Sequence, residues 1–150
     1  MKIHFTKKEY RLLLDILYIA EWVIASREID DNPETEPYKD LEQKIMSMAK
    51  DYGFDNLISY DDKFEQYLPT LKFEEDEKVN NFIDKYEAET FWEELCDRLA
   101  ERDFFADNDA EAIMKMEDVE IFSKKREYAE RYHDEFVENG LNNIKLNCHW

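Results

Sequence analysis

The spacing of apolar side chains along this chain is that of α-helices. Apolar residues recur every three or four positions in seven segments, and this period places them on one face of a helix. The three Pro and two Gly fall between these segments or at their ends, where they form turns or end helices. The seven predicted helices cover about residues 6–24, 38–52, 61–67, 74–86, 89–103, 109–116 and 118–138.

The first helix carries the clearest signals. Thr6 and Glu9 form a capping box, in which the Thr hydroxyl and the Glu carboxylate each accept a hydrogen bond from a backbone N–H that the helix leaves without a partner. A helix that is apolar on most sides is normally surrounded by other helices, so we predict that this one is the buried centre of the fold. Its two apolar stripes are Leu13, Leu14, Leu17 and Ile24, and Leu12, Ile16, Ile19 and Val23.

Both ends of the chain follow a different, alternating pattern. Residues 1–5 and 143–146 alternate apolar and polar side chains, as a half-buried β-strand does. We predict that these two segments pair into a small ribbon; the alternative is a pair of frayed ends. The predicted fold class is therefore mainly α: a single compact orthogonal bundle of six to seven helices around the buried N-terminal helix, with a small two-stranded β ribbon formed by the termini.

The composition favours one folded domain over residues 1–150. With 43% hydrophobic and 15% aromatic residues, the chain is too apolar for a disordered acidic tail. Its length suits a single domain, and no Gly/Ser-rich linker or repeat divides it. Two Gly and three Pro leave too few turn residues for a β-sandwich or a β-barrel.

The chain is strongly acidic, and its acidity is concentrated in the middle. Its formal net charge is −18 at pH 7, and residues 31–120, with 28 acidic and 10 basic side chains, carry the whole excess. This charge argues against direct binding to nucleic acid or to an anionic membrane, which needs clustered Lys and Arg. Asp15 and Glu21 interrupt the longest apolar run, which lacks a secretory cleavage pattern. We predict a cytoplasmic protein with the general composition of a small bacterial one.

No residue pattern specifies a catalytic, cofactor or metal site. The two Gly are too few and too far apart for a P-loop, a dinucleotide-binding turn or a nucleophile elbow. Glu130 and His133 match the Glu-x-x-His pair of di-iron bundles, but such a site needs that pair twice. Cys96 is 52 positions from Cys148, and Cys148 with His149 supplies only two ligands for zinc. We predict no metal, no cofactor and no catalytic residue.

Five aromatic side chains fit poorly into the predicted helical core. Tyr and Trp are favoured at protein interfaces, because their rings are apolar and their polar groups can hydrogen-bond. Packing against neighbouring loops is the alternative for each of them. These residues are Tyr18, Trp22, Tyr38, Tyr60 and Tyr67.

These patterns lead to three hypotheses about function. The first is a non-catalytic protein–protein interaction module that presents an acidic face to a basic protein surface; whether it also self-associates stays open. The second is a nucleic-acid mimic that inhibits a DNA- or RNA-binding protein, although interspersed Lys and Arg argue against a continuous phosphate-like track. The third is an enzyme with an acidic cleft. The predicted interaction face consists of Glu74, Glu75, Asp76, Glu77, Asp103, Asp107, Asp109 and Glu111.

Overall fold

The computed structural model describes residues 3–24 and 32–145, and their fold is mainly α, as predicted. These residues form six helices and one two-stranded antiparallel sheet, and 67% of the structure is helical. The helices are α1 (Lys7–Ile24), α2 (Glu36–Met46), α3 (Leu71–Glu74), α4 (Glu77–Asp107), α5 (Ala110–Met114) and α6 (Asp118–Asn139). The strands are β1 (Ile58–Asp61) and β2 (Gln66–Pro69).

Two compact units divide the chain, Met1–Asp84 and Lys85–Trp150, and the boundary between them falls within α4. The first unit contains α1, α2, the β ribbon, α3 and the first residues of α4. The second unit contains the rest of α4 together with α5 and α6. That residues 1–150 behave as one domain stays a prediction.

The core of the first unit is built around Tyr10 of α1. Its ring stacks on that of Tyr52 with the centroids 4.1 Å apart, and its hydroxyl donates a hydrogen bond of 2.6 Å to the carbonyl of Ile45. Leu14 and Phe73 are completely buried beside it. This cluster joins α1 to α2, to the turns after α2 and to α3.

The prediction that the first helix is the buried centre of the fold is wrong. One face of α1 supplies the core, whereas Leu12, Ile16 and Val23 on the second apolar stripe are each at least half exposed. Apolar periodicity shows which faces a helix can bury, but it does not show how many neighbouring elements are present to cover them. In the first unit α1 therefore covers the core from one side and leaves much of its second apolar stripe exposed.

A β ribbon is present, but the chain termini do not form it. Of the segments predicted as strands, residues 3–5 and 143–145 are not in strands, and Met1, Lys2 and Leu146 lie outside the described residues. The prediction of a ribbon of the described terminal residues is therefore wrong. Alternation over four or five residues, without a turn to join the partners, is a weak signal for strand pairing.

The ribbon lies instead where the sequence predicts a helical turn over residues 61–67. The carboxylate of Asp61 accepts hydrogen bonds of 2.8 and 3.1 Å from the backbone N–H groups two and three residues later. Glu65 follows with a φ of 55°, and together these features reverse the chain so that β1 and β2 pair. The predicted helices over 74–86 and 89–103 are also corrected, because both belong to the continuous helix α4.

In the second unit, α4 and α6 pack antiparallel. The rings of Trp92 and Phe136 lie 5.4 Å apart, whereas Asp107 at the end of α4 accepts a hydrogen bond of 2.7 Å from the hydroxyl of Tyr128. Phe104 is completely buried in this unit. Aromatic packing and tyrosine–carboxylate hydrogen bonds therefore both hold the helix pair together.

Candidate functional site

The first half of the predicted acidic face is largely exposed in the first unit. Glu74, Glu75 and Glu77 are exposed around the junction of α3 and α4. Asp76 differs, because its carboxylate accepts a hydrogen bond of 2.5 Å from Arg11 and another of 3.0 Å from the backbone N–H of α4 two residues later. Three of the four carboxylates are thus presented to solvent, and Asp76 has a structural role.

The second half of the predicted face lies in the second unit and is used within it. Asp103 accepts hydrogen bonds from Arg102 and Tyr132, which lower the pKa of its carboxyl group. Asp109 accepts a hydrogen bond of 2.7 Å from a backbone N–H and caps α5. Glu111 pairs with Lys115 at 2.7 Å, and Asp107 is bound by a tyrosine hydroxyl. These four side chains have partners within the second unit, although Asp107, Asp109 and Glu111 are themselves exposed.

A cleft in the first unit combines aromatic rings with carboxylates. Its volume is about 510 Å³, and α1, α2, β2 and the end of α3 form its walls. Tyr18 and Trp22 lie one helical turn apart on α1, and Tyr67 lies on β2. Ligand sites in proteins typically have volumes of about 300–1,000 Å³ and are lined by aromatic side chains with a few polar groups.

The aromatic walls of the cleft are held in place by the surrounding structure. The side chain of Gln43 on α2 accepts a hydrogen bond of 2.7 Å from the backbone N–H of Tyr67 and donates one of 2.9 Å to its carbonyl. The Tyr67 ring also meets the ring of Tyr60 edge to face at 5.0 Å. The Tyr18 ring packs on the buried Phe73 at 5.2 Å. Their positions therefore depend on the core and on α2.

The residues that line this cleft include four glutamates and one lysine, Lys39. The pKa of Glu42 is raised to about 7, chiefly by burial and to a smaller extent by the negative charge of Glu21. A buried carboxyl group near another acid favours its neutral form, because desolvation and repulsion both oppose its charge. A cation in the cleft would offset both effects. The four acids are Glu21, Glu36, Glu42 and Glu74.

Sequence analysis singles out some of the residues that line this cleft. Tyr18, Trp22 and Tyr67 are three of the five aromatic residues that fit poorly into the predicted core, and Glu74 belongs to the predicted acidic face. The contribution of Glu42 is missed, because nothing in its local sequence separates it from the many other acids of the chain. The burial of Glu42 becomes visible only in the tertiary structure, where α1 and β2 lie beside it in the cleft.

Metal-ligating side chains are not brought together in the described part of the chain. Among residues 3–24 and 32–145, no three His, Cys, Asp or Glu side chains lie close enough to hold a metal ion. Glu130 pairs with Arg126 at 2.9 Å on α6, and His133 on the same helix is exposed. Cys148 and His149 lie outside the described residues.

Comparisons of the chain with protein-family models, with curated proteins and with solved structures give no match. In the part of the chain that the structure describes, each helix is too short or too polar to cross a membrane. Even α1, with its two apolar stripes, carries six charged side chains among its 18 residues.

We expect the Glu42→Gln substitution to stabilise the protein at pH 8 and to change its stability little at pH 5. The pKa of Glu42 is about 7 in the folded chain, against an ordinary value of 4.5, so between these pH values the folded state holds a proton that the unfolded state has lost. Stability therefore falls as the pH rises through this window, and the charged glutamate is unfavourable above it. Glutamine removes this effect, which is on the order of 2 kcal/mol.

Urea unfolding of the wild type and of Glu42→Gln at pH 5 and pH 8 measures this difference. The control is Asp40→Asn, which removes an exposed carboxylate from the same helix outside the cleft. We expect the stability of this control to change between pH 5 and pH 8 as that of the wild type does. If the stability of Glu42→Gln changed with pH as that of the wild type does, desolvation of Glu42 would not be the cause of the loss of stability at high pH.

Proposed function

We propose that the chain is a non-catalytic interaction module of the bacterial cytoplasm that binds a basic protein surface through the acidic side of its first unit. The observation that carries the proposal is that exposed carboxylates follow directly after a carboxylate of the aromatic cleft. Glu74 lines the aromatic cleft, and the exposed Glu75 and Glu77 follow it along the chain. Exposed carboxylates therefore stand directly after one that lines a cleft with three aromatic residues among its lining.

This arrangement has the two components that a charge-guided interface needs. Exposed carboxylates attract a basic partner over distances of up to about 10 Å at 0.1 M salt and thereby raise the association rate. Aromatic side chains in a recess provide contact area that holds the partner after the encounter. Asp103, Asp107, Asp109 and Glu111 contribute to the overall charge, but their internal partners make them a weaker contact surface.

Reversing the charge of Glu74, Glu75 and Glu77 together should slow association with a basic probe. We expect the association rate of a fluorescent nona-lysine peptide, measured by stopped flow at 0.1 M salt, to fall about tenfold. Asp76 is left unchanged, because its contact with Arg11 is structural. At 1 M salt the difference should nearly vanish, since screening shortens the range of the attraction to about 3 Å.

The matched control reverses three exposed carboxylates of α6, namely Glu127, Asp134 and Glu138. Both variants change the net charge by the same amount, so a difference between them reports the position of the charge. We expect the α6 variant to associate at least about three times faster than the variant of the proposed face. Equal rates would overturn the proposal and would leave the charge with a role in solubility alone.

A further inference from the structure

The cleft of the first unit has the chemistry of a site for an organic cation. Tyr18, Trp22 and Tyr67 line it, and cations are attracted to the faces of aromatic rings. Glu21 and Glu42 add negative charge from α1 and α2. Aromatic residues with nearby carboxylates favour a cation that can also pack against a ring.

We propose that this cleft binds the guanidinium group of an arginine side chain carried by the basic partner. The proposal rests on the proposed function for the nature of the partner, and it adds the residue that the partner inserts. The guanidinium plane would lie against the rings of Trp22 and Tyr67, with its N–H groups directed to the carboxylates of the cleft. The exposed Glu75 and Glu77 would face the basic residues on either side of that arginine.

Arginine fits this cleft better than lysine for three physical reasons. Its guanidinium group is planar and stacks on aromatic rings, whereas the ammonium group of lysine is compact. It is more weakly hydrated, so its entry into a half-buried cavity costs less. Its five N–H donors can serve two carboxylates at once, and Glu21 and Glu42 both line the cavity.

The charged state of Glu42 couples this site to pH. At pH 5 its carboxyl group is largely neutral, because burial and Glu21 raise its pKa to about 7. At pH 8 it is charged and attracts a cation. The other titratable groups that face the cleft are Tyr18 and Glu21 from α1, Glu36 and Lys39 from α2, Tyr67 from β2 and Glu74 from α3.

The first measurement compares two small probes, N-acetyl-arginine methylamide and N-acetyl-lysine methylamide, in NMR titrations of the full chain at 0.15 M salt. At pH 8 we expect the arginine probe to bind at least about fivefold more tightly than the lysine probe. We also expect it to shift the ring signals of Tyr18, Trp22 and Tyr67. We expect its affinity to fall at least about threefold at pH 5, where Glu42 is protonated.

Two variants test the named residues. Trp22→Leu should weaken binding of the arginine probe about fivefold, whereas Phe82→Leu, an exposed aromatic residue of the first unit outside the cleft, should not. Glu42→Gln should bind the arginine probe equally at pH 5 and pH 8, because the titrating carboxyl group is gone. Since Glu42→Gln is expected to be well folded, it carries the test even if Trp22→Leu fails to fold.

Equal affinities for the arginine and lysine probes, or arginine binding that Trp22→Leu and Glu42→Gln leave unchanged, would overturn the arginine site. That result leaves the proposed function standing if the nona-lysine rates still depend on Glu74, Glu75 and Glu77. Conversely, if those rates do not depend on the three carboxylates but the arginine probe still binds in the cleft, the proposed acidic face fails and the guanidinium site survives.

Discussion

Replacing Arg11 with Met should lower the free energy of unfolding by about 3–5 kcal/mol. Asp15 is only 7% exposed, and its carboxylate pairs with the guanidinium of Arg11 one helical turn earlier. Without Arg11, that carboxylate faces the ammonium group of Lys78 at 3.4 Å, and most of the Lys78 side chain is exposed. A buried charge that loses its close partner retains the full cost of its desolvation.

Arg11 also links three elements of the first unit. It donates a hydrogen bond of 2.5 Å to Asp76, just before α4, and its guanidinium lies 4.7 Å from the centroid of the Phe73 ring on α3. The substitution therefore removes contacts to α3 and to the residue before α4, in addition to the pair within α1. Met retains much of the apolar volume of the Arg side chain, so the loss measures its charge and hydrogen bonds.

Arg98→Met provides the matched control. Arg98 pairs with Glu94 at 2.9 Å, also with a spacing of four residues, but both side chains are well exposed. Such exposed pairs on a helix contribute about 0.3–0.5 kcal/mol. Urea unfolding of both variants gives the comparison, and a double variant with Asp15→Asn should recover part of the loss of Arg11→Met. Similar small losses for Arg11→Met and Arg98→Met would show that the buried pair adds little stability.

The sequence predicts those features of the fold that depend on local interactions. The capping box is confirmed: Thr6 donates its backbone N–H to the Glu9 carboxylate at 2.7 Å, and the backbone N–H of Glu9 donates to the Thr6 hydroxyl at 3.3 Å. The Thr6 hydroxyl also donates a hydrogen bond to the Glu9 carboxylate, and the two hydrogen bonds that this carboxylate accepts from Thr6 lower its pKa. Gly140 has a φ of 57° immediately after α6, as its predicted role in ending that helix requires.

Features that the apolar pattern does not encode are predicted less well. The break expected between residues 86 and 89 is absent, because Glu87 and Ala88 favour a helix and neither Pro nor Gly interrupts it. The ribbon is missed because its turn uses Asp61 and Glu65 in place of the Asn-Gly or Asp-Gly pair that marks most short hairpins. Both differences arise from geometry that the apolar pattern does not encode.

The same limit applies to the acidic side chains. Composition reveals their excess, but each acid acts through a partner that the sequence does not indicate. Asp76 binds Arg11, which is 65 residues away, and Asp103 binds Tyr132, which is 29 residues away. The predicted face therefore mixes exposed carboxylates with structural ones. Tertiary structure separates the two groups and brings Glu42 into the cleft.

Replacing Phe104 with Ala should destabilise the second unit by about 3–5 kcal/mol, whereas Phe105→Ala should cost about 1 kcal/mol or less. The two residues are adjacent on α4 and chemically identical, but Phe104 is 0% exposed and Phe105 is 54% exposed. Truncating Phe104 leaves a cavity between packed helices, while truncating Phe105 removes a ring that is already half in water. The pair thus isolates burial as the variable.

Urea unfolding and hydrogen exchange at the backbone amides of α6 measure the effect of these two substitutions. We expect faster exchange across α6 in Phe104→Ala and near wild-type exchange in Phe105→Ala, because the buried ring supports the helix pair. Equal losses of protection would show that Phe104 is not a core residue. Exchange in α1 of the same Phe104→Ala sample then tests the predicted single domain. If residues 1–150 unfold as one cooperative domain, α1 should lose as much protection as α6; unchanged protection in α1 would contradict that prediction.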